Sequence, residues 1–138
     1  MSEQTVSNPN TKKKILLIDD DKFLLDMYAL KFSKAEYEVE SIDSTDLALK
    51  KIQGGYVPDL ILADIVMPGM DGLDFVEVLR KDKLVPNATI IMLTNQSATD
   101  DVGRSQKLGV DGYIVKATTI PSEVLSEVEK ICSSKKAK

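Results

Sequence analysis

No histidine occurs anywhere in the 138 residues. That absence excludes Ser-His-Asp and Cys-His catalysis, imidazole metal ligation and a phosphohistidine carried by this chain. Cysteine is nearly missing too. Cys132 stands alone, so neither a disulfide framework nor a multi-cysteine zinc site can form. Any bound metal would have to be a hard cation held by oxygen. No run of about 18 apolar residues exists, so no transmembrane helix is expected. The opening MSEQTVSNPNTKKK lacks the apolar stretch of a secretory signal. No internal repeat is visible. A cytoplasmic, reducing compartment is the expectation these absences leave.

What is present describes one folded domain. Hydrophobic residues make up 43% and charged residues 29%, enough apolar material for a packed core. The net charge is -4, with +2 on residues 1–14 and +3 on residues 133–138, which leaves -9 on the body. An acidic body does not fit a duplex-DNA footprint. No nucleic-acid contact through this domain and no membrane contact are expected. Residues 1–12 read as a flexible leader, 13–132 as the folded domain, and 133–138 as a basic tail or linker stub.

Five short runs read as strands: Ile15–Ile18, Tyr37–Ile42, Leu60–Ala63, Thr89–Leu93 and Tyr113–Val115. The first, third and fourth are continuously apolar, as strands covered on both faces are. The second alternates apolar and polar residues, which suits a half-exposed edge. Helical spacing lies between them. Leu25, Tyr28, Ala29 and Phe32 form one stripe, and Thr45, Ala48, Leu49 and Ile52 a second. Gly72, Phe75, Val76 and Leu79 form a third, and Val124, Leu125, Val128, Ile131 and Cys132 the last. Gly54-Gly55 and Gly109 stand where helices would end. The segment Ala98–Leu108 is the weakest helix, poor in apolar residues and containing Gly103. Strand and helix alternate five times. With right-handed crossovers this gives an α/β fold, a parallel sheet with helices on both faces.

In such a sheet, ligands bind at the carboxyl ends of the strands. The first run ends in Asp19-Asp20-Asp21, the third in Asp64, the fourth in Thr94 and the fifth in Lys116. Each residue alone has an ordinary reading. Asp20 or Asp21 would cap a helix, Asp64 would be a solvated strand end, Thr94 would bond locally, and Lys116 would be a surface charge. Tyr113 alone would be packing, and Cys132 core. Asp71 looks like the cap of the helix after the Pro68-Gly69 turn. Together the acids repel unless a cation joins them, and two or three carboxylates with a carbonyl and waters suit Mg²⁺. An aspartate beside such a cation can attack phosphorus, while a lysine and a threonine neutralise phosphoryl oxygens.

These motifs resemble the receiver domains of two-component response regulators, of the single-domain chemotaxis type. The resemblance covers about residues 13–132. It rests on ILLIDDD at 15–21, DLILADIVMPGMDG at 59–72, IIMLT at 90–94 and DGYIVK at 111–116. It implies a flavodoxin-like, doubly wound five-stranded parallel sheet, order 2-1-3-4-5, with five flanking helices. It implies a signalling module that is not an enzyme in its own right. Asp64 would be the phosphoacceptor. Mg²⁺, with Mn²⁺ able to substitute, would be held by Asp20 directly, by Asp19 mainly through water, by Asp64, and by the backbone carbonyl of Val66. Thr94 and Lys116 would contact the phosphoryl group, Thr94 and Tyr113 would switch together, and Val66 and Gln96 would tune the lifetime of the acyl phosphate.

The implied partners are a sensor histidine kinase or a phosphotransfer protein, and an undefined downstream target. That target would read the surface of the fourth helix, fifth strand and fifth helix, including Val102, Arg104, Lys107 and Tyr113. A phosphorylation-dependent homodimer is a further implication. One departure is plain: Ala117 follows the lysine where most receivers carry a proline in cis. A cis bond to alanine would cost ~3–4 kcal/mol, so a trans bond or a strained loop is expected. The segment Lys116–Pro121 is also about one residue longer than the corresponding stretch of most receivers. Three competing readings stand beside this one. The first is a degenerate receiver that binds partners without phosphorylation. The second is an aspartyl phosphatase, for which a substrate cap would need more chain. The third is a flavin carrier, whose phosphate the acidic first loop would repel.

Overall fold

A computed structural model describes residues 12–94, 99–116 and 119–136. Strands and helices alternate through these residues: β1 (Lys14–Ile18), α1 (Lys22–Lys34), β2 (Glu38–Ile42), α2 (Thr45–Gln53), β3 (Leu60–Asp64), α3 (Gly72–Lys81), β4 (Thr89–Thr94), α4 (Thr99–Lys107), β5 (Gly112–Val115) and α5 (Pro121–Lys136). The strands form one parallel sheet in the order β2-β1-β3-β4-β5. The expected flavodoxin-like α/β architecture is therefore present.

Strand alternation divides the core in two. Leu16, Ile18, Ile61, Ala63, Ile90 and Met92 face one side, where Ala48 and Ile52 of α2 and Phe75, Val76 and Leu79 of α3 cover them. Ile15, Leu17, Leu60, Leu62, Ile91 and Leu93 face the other, under Leu25, Tyr28 and Phe32 of α1 and Val124 and Val128 of α5. Cys132 sits half-buried at the rim of this second core. Edge strand β2 has no buried residue, which explains its alternating sequence.

Several local expectations acquire a physical reason. Asp21 caps α1 by accepting from the Leu24 amide. Asp71 caps α3, and Asp74 returns the favour by accepting from the Asp71 amide, a complete capping box. Thr45 is polar but buried in the α2 stripe, because its hydroxyl donates to the Met70 carbonyl at 2.5 Å. Gly55 and Gly109 take φ of 113° and 71° beyond their helices.

Two features differ from the sequence reading. Residues 133–136 of the expected tail are helical and continue α5, with Lys135 Nζ donating to Thr89 Oγ1 at 3.3 Å and to Asp111 Oδ2 at 3.4 Å. Arg104, expected on the surface that partners would read, turns toward α3 instead. Its Nη2 donates to Asp74 at 2.5 Å and to Glu77 at 3.3 Å, and its Nη1 lies 3.6 Å from Asp71. α3 reaches back as well: Arg80 donates to the Leu108 and Gly109 carbonyls at 3.0 and 2.9 Å. α4 has little apolar surface to bury, so polar contacts to α3 hold it.

Candidate functional site

Sheet register builds the site. Ile18 pairs with Ala63, Asp64 with Leu93, and Thr94 with Val115. The residues that follow or end these strands therefore share one rim. Asp19 leaves β1 almost fully buried, Asp64 ends β3 at 2% exposure, and Thr94 ends β4 at 3%. Asp20 is exposed beside them.

Lys116 closes the rim from the end of β5. Its ammonium donates to Asp19 Oδ2 at 2.9 Å and to Asp64 Oδ2 at 3.0 Å. The lysine side chain is only 7% exposed, so this is not a solvated surface charge. The other Asp64 oxygen accepts from the Val66 amide at 3.2 Å. Asp19 Oδ1 accepts from the Asp21 amide at 2.9 Å, which fixes the turn out of β1 while Asp21 itself faces the helix it caps.

One cation does not balance three carboxylates. Burial pushes the Asp64 carboxyl up from 3.8 to about 6, Lys116 opposes by charge and hydrogen bond, and Asp19 adds to the rise. Burial works to lower the Lys116 ammonium, but its hydrogen bond to Asp19 and the charge of Asp64 outweigh it and hold it raised.

A pH dependence follows. The raised folded value of Asp64 favours its protonated form. Its contribution to stability is complete below about 4 and is lost as pH rises through about 6. The rise from 3.8 to about 6 sets an upper scale of roughly 3 kcal/mol. Lys116 loses its contribution only above its ordinary range near 10.5, outside this window. Chelated protein should therefore be more stable at pH 5 than at pH 7.5 in urea titrations. Asp64→Asn should flatten that slope and raise stability at pH 7.5. A slope unchanged by Asp64→Asn would refute the assignment.

The donor set fits a hard divalent cation. One carboxylate oxygen from each of Asp19, Asp20 and Asp64 lies within 4.8 Å of the others. All are oxygen donors, and their surplus negative charge is of the kind Mg²⁺ removes. Val66, expected to lend its carbonyl, is in the loop beside Asp64 and is 62% exposed. Tyr113 lies two register positions before the Thr94–Val115 pair on β5, half-buried against the α2–α3 core. Gln96 and Ala117 lie outside the described residues, as does the Lys116–Ala117 bond.

Two residues near the site carry more than the sequence reading gave them. Gly72 was legible as part of a helical stripe, yet it packs directly on the Asp64 backbone. Tyr28 was legible as core, yet its phenol feels the charges of Lys116, Asp19, Asp64 and Asp21.

The same pattern is found in known proteins. The signature of the response regulator receiver domain matches residues 15–129. The DNA-binding response regulator MtrA of Mycobacterium tuberculosis is 35% identical over 117 residues, covering 85% of this chain and 49% of MtrA. The phosphate regulon transcriptional regulatory protein PhoB of Pseudomonas aeruginosa is 32% identical over 119 residues, covering 86% of this chain and 51% of PhoB. The chain thus spans about half the length of these relatives. Among solved structures, a CheY-like receiver from Methanospirillum hungatei has a TM-score of 0.80 at 30% identity, covering 93% of this chain and all of that one. Chemotaxis response regulator CheY4 of Vibrio cholerae has a TM-score of 0.80 at 29% identity, covering 88% and 99%. Sheet order, acidic rim and signature agree: the chain belongs to the response-regulator receiver domains of two-component signalling, which are signalling modules rather than enzymes.

Proposed function

We propose that Asp64 accepts a phosphoryl group from a phosphohistidine on a partner protein. The observation that carries this reading is the buried Asp64 carboxylate, 3.0 Å from Lys116 and clustered with Asp19 and Asp20. A carboxylate oxygen of Asp64 attacks phosphorus, the bond to the imidazole nitrogen breaks, and an acyl phosphate forms. Asp19, Asp20, Asp64 and the Val66 carbonyl would hold Mg²⁺, or Mn²⁺ in its place. Bound there, the cation supplies positive charge to the phosphoryl oxygens.

The chain's own groups do the rest. Lys116 neutralises one phosphoryl oxygen and the Thr94 hydroxyl donates to another. That shift of Thr94 draws Tyr113, and the surface of α4, β5 and α5 changes for a downstream protein or a second copy. Val66 and Gln96 set how water reaches the acyl phosphate. Receiver domains work with histidine kinases, so a sensor kinase or phosphotransfer protein is the donor class. The absence of histidine means the donor lies outside these 138 residues. A cytoplasmic setting is the one this family reading implies. Among the described residues no helix is long and apolar enough to cross a membrane.

Intact-protein mass after incubation with acetyl phosphate tests this. One phosphoryl adduct should form, requiring Mg²⁺ and disappearing in Asp64→Asn. An adduct that survives Asp64→Asn would reassign the acceptor. No adduct and no Mg²⁺ binding would leave a receiver fold used as a constitutive binding module.

A further inference from the structure

α4 belongs to the surface that changes in the function proposed above, yet little of it is buried. Over positions 102–107, where its side chains are described, only Ser105 is buried. α1 and α2 each bury three residues, and α3 buries five. Two arginines supply what apolar burial does not. Arg80, on α3, donates to the Leu108 and Gly109 carbonyls at 3.0 and 2.9 Å, which sets a cation at the carboxyl end of α4. Arg104, on α4, reaches the other way and spreads its guanidinium over acids of α3. Its Nη2 lies 2.5 Å from Asp74 and 3.3 Å from Glu77, and its Nη1 3.6 Å from the cap residue Asp71.

An exposed ion pair contributes little when two long side chains must be ordered to make it. Here the acids are ordered beforehand. Asp71 Oδ1 accepts from the Asp74 amide at 2.7 Å and Asp74 Oδ2 from the Asp71 amide at 3.3 Å, so the α3 cap holds both carboxylates in place for Arg104. The hydrogen bond from Arg104 pulls the Asp74 carboxyl below its usual range. The same stretch of chain is fixed to the site. Asp71 precedes Gly72, whose amide donates to the Ile65 carbonyl at 2.8 Å and whose α-carbon leaves no room for a Cβ against the Asp64 carbonyl. Contacts thus run without a gap from the Asp64 backbone through Gly72 and Asp71 to Arg104 and α4.

We propose that Arg104 is the pin of an autoinhibitory clasp: bound to Asp71, Asp74 and Glu77, it holds α4 against α3 and so against the strand end that carries Asp64, and its release lets α4 move while the sheet stands. The proposal rests on the part of the function above in which phosphorylation moves α4. A clasp of partly exposed charges is weakened by salt, because ions screen it. It opposes any movement of α4 away from α3, so removing it shifts the balance toward the moved state. This line runs through α3 and is separate from Thr94 and Tyr113, which lie on β4 and β5.

Arg104→Met keeps an aliphatic stem and a similar helix propensity while removing the guanidinium. Amide hydrogen exchange reads the clasp directly. The Leu108 amide donates to the Arg104 carbonyl and the Val110 amide to the Ser105 carbonyl, so both report opening of α4. The Ile65 amide, which donates to the Leu93 carbonyl, is the reference in the sheet. Between about 0.05 M and about 1 M NaCl, exchange at Leu108 and Val110 in wild type should quicken about fivefold relative to Ile65, the weight of several exposed charge pairs acting together. Arg104→Met should exchange at the fast rate already in low salt and respond little to more. Its adduct formation with acetyl phosphate and Mg²⁺ should run about threefold faster than in wild type, since a restraint shifts a balance by no more than it contributes. No salt response at Leu108 and Val110 in wild type overturns the clasp with no variant needed, and so does equal exchange in the two proteins. Faster exchange with an unchanged adduct rate overturns its inhibitory role. If wild type forms no adduct, the phosphoacceptor reading falls by itself, and the clasp stands or falls by the salt response of wild type and its loss in Arg104→Met.

Discussion

Gly72→Ala is expected to destabilise the protein by about 3 kcal/mol and to lower its melting temperature by roughly 10 °C. Helix propensity alone predicts the opposite sign, because alanine is the better helix former by ~1 kcal/mol. Space decides. A Cβ on Gly72 would stand 2.1 Å from the Asp64 carbonyl oxygen, 2.9 Å from its carbon and 3.0 Å from Ile65 Cα. All three are backbone atoms of a central strand end, so no side chain can swing aside. The Gly72 amide also donates to the Ile65 carbonyl at 2.8 Å, so the α3 terminus and the end of the Asp64 strand are locked together. To admit a methyl group, either α3 must withdraw or Asp64 must move, and the second damages the site as well. Gly103→Ala in α4 is the matched control. Nothing lies within 4 Å of a Cβ there. That substitution should stabilise by roughly 0.5–1 kcal/mol. Equal melting temperatures for Gly72→Ala and wild type would show that α3 does not hold Asp64 in place.

The sequence displays this fold wherever burial is two-sided or a cap is chemical. β1, β3 and β4 are legible because both their faces are covered, so their interior positions are apolar. Each extends one residue beyond its apolar run, because Lys14, Asp64 and Thr94 are polar yet still join the strand. The rim itself was legible for the same reason: a polar residue ending an apolar strand marks the carboxyl edge, and Asp64, Thr94 and Lys116 do so on three strands. Pairwise direction was not legible. Arg104 could face either neighbour of α4, and only the acids Asp71, Asp74 and Glu77 on α3 choose for it. Nor does spacing reveal what the far end of a side chain meets. Tyr28 fits its stripe by its ring, and the stripe says nothing about its hydroxyl. Backbone conformation also escaped. Glu36, Lys83 and Val85 adopt φ of 73°, 54° and 38° with no glycine to announce a turn, and Val85 does so despite its branched β-carbon.

Lys116→Met is expected to cost about 3 kcal/mol in chelated protein at pH 7.5. The substitution keeps the length and apolar stem of the side chain, so what it removes is the charge. Asp19 and Asp64 then remain, 1% and 3% exposed as side chains, with no cation between them. Two carboxylates in that setting cannot both stay ionised without penalty, and the Asp64 carboxyl, already pushed up to about 6, should rise further. Three remedies should each restore stability, since each removes a negative charge or screens it. Lowering the pH to 5 protonates Asp64. Adding Asp64→Asn to Lys116→Met deletes its charge. Adding Mg²⁺ supplies the missing cation, so the melting temperature of Lys116→Met should rise more with Mg²⁺ than that of wild type. Urea titrations of the two single variants and the double variant give the coupling between Lys116 and Asp64 directly. A coupling near zero would mean that the ion pair at 3.0 Å does not hold the site together in solution, and that the rim is kept in shape by the backbone bonds to Asp19 and Asp64 alone.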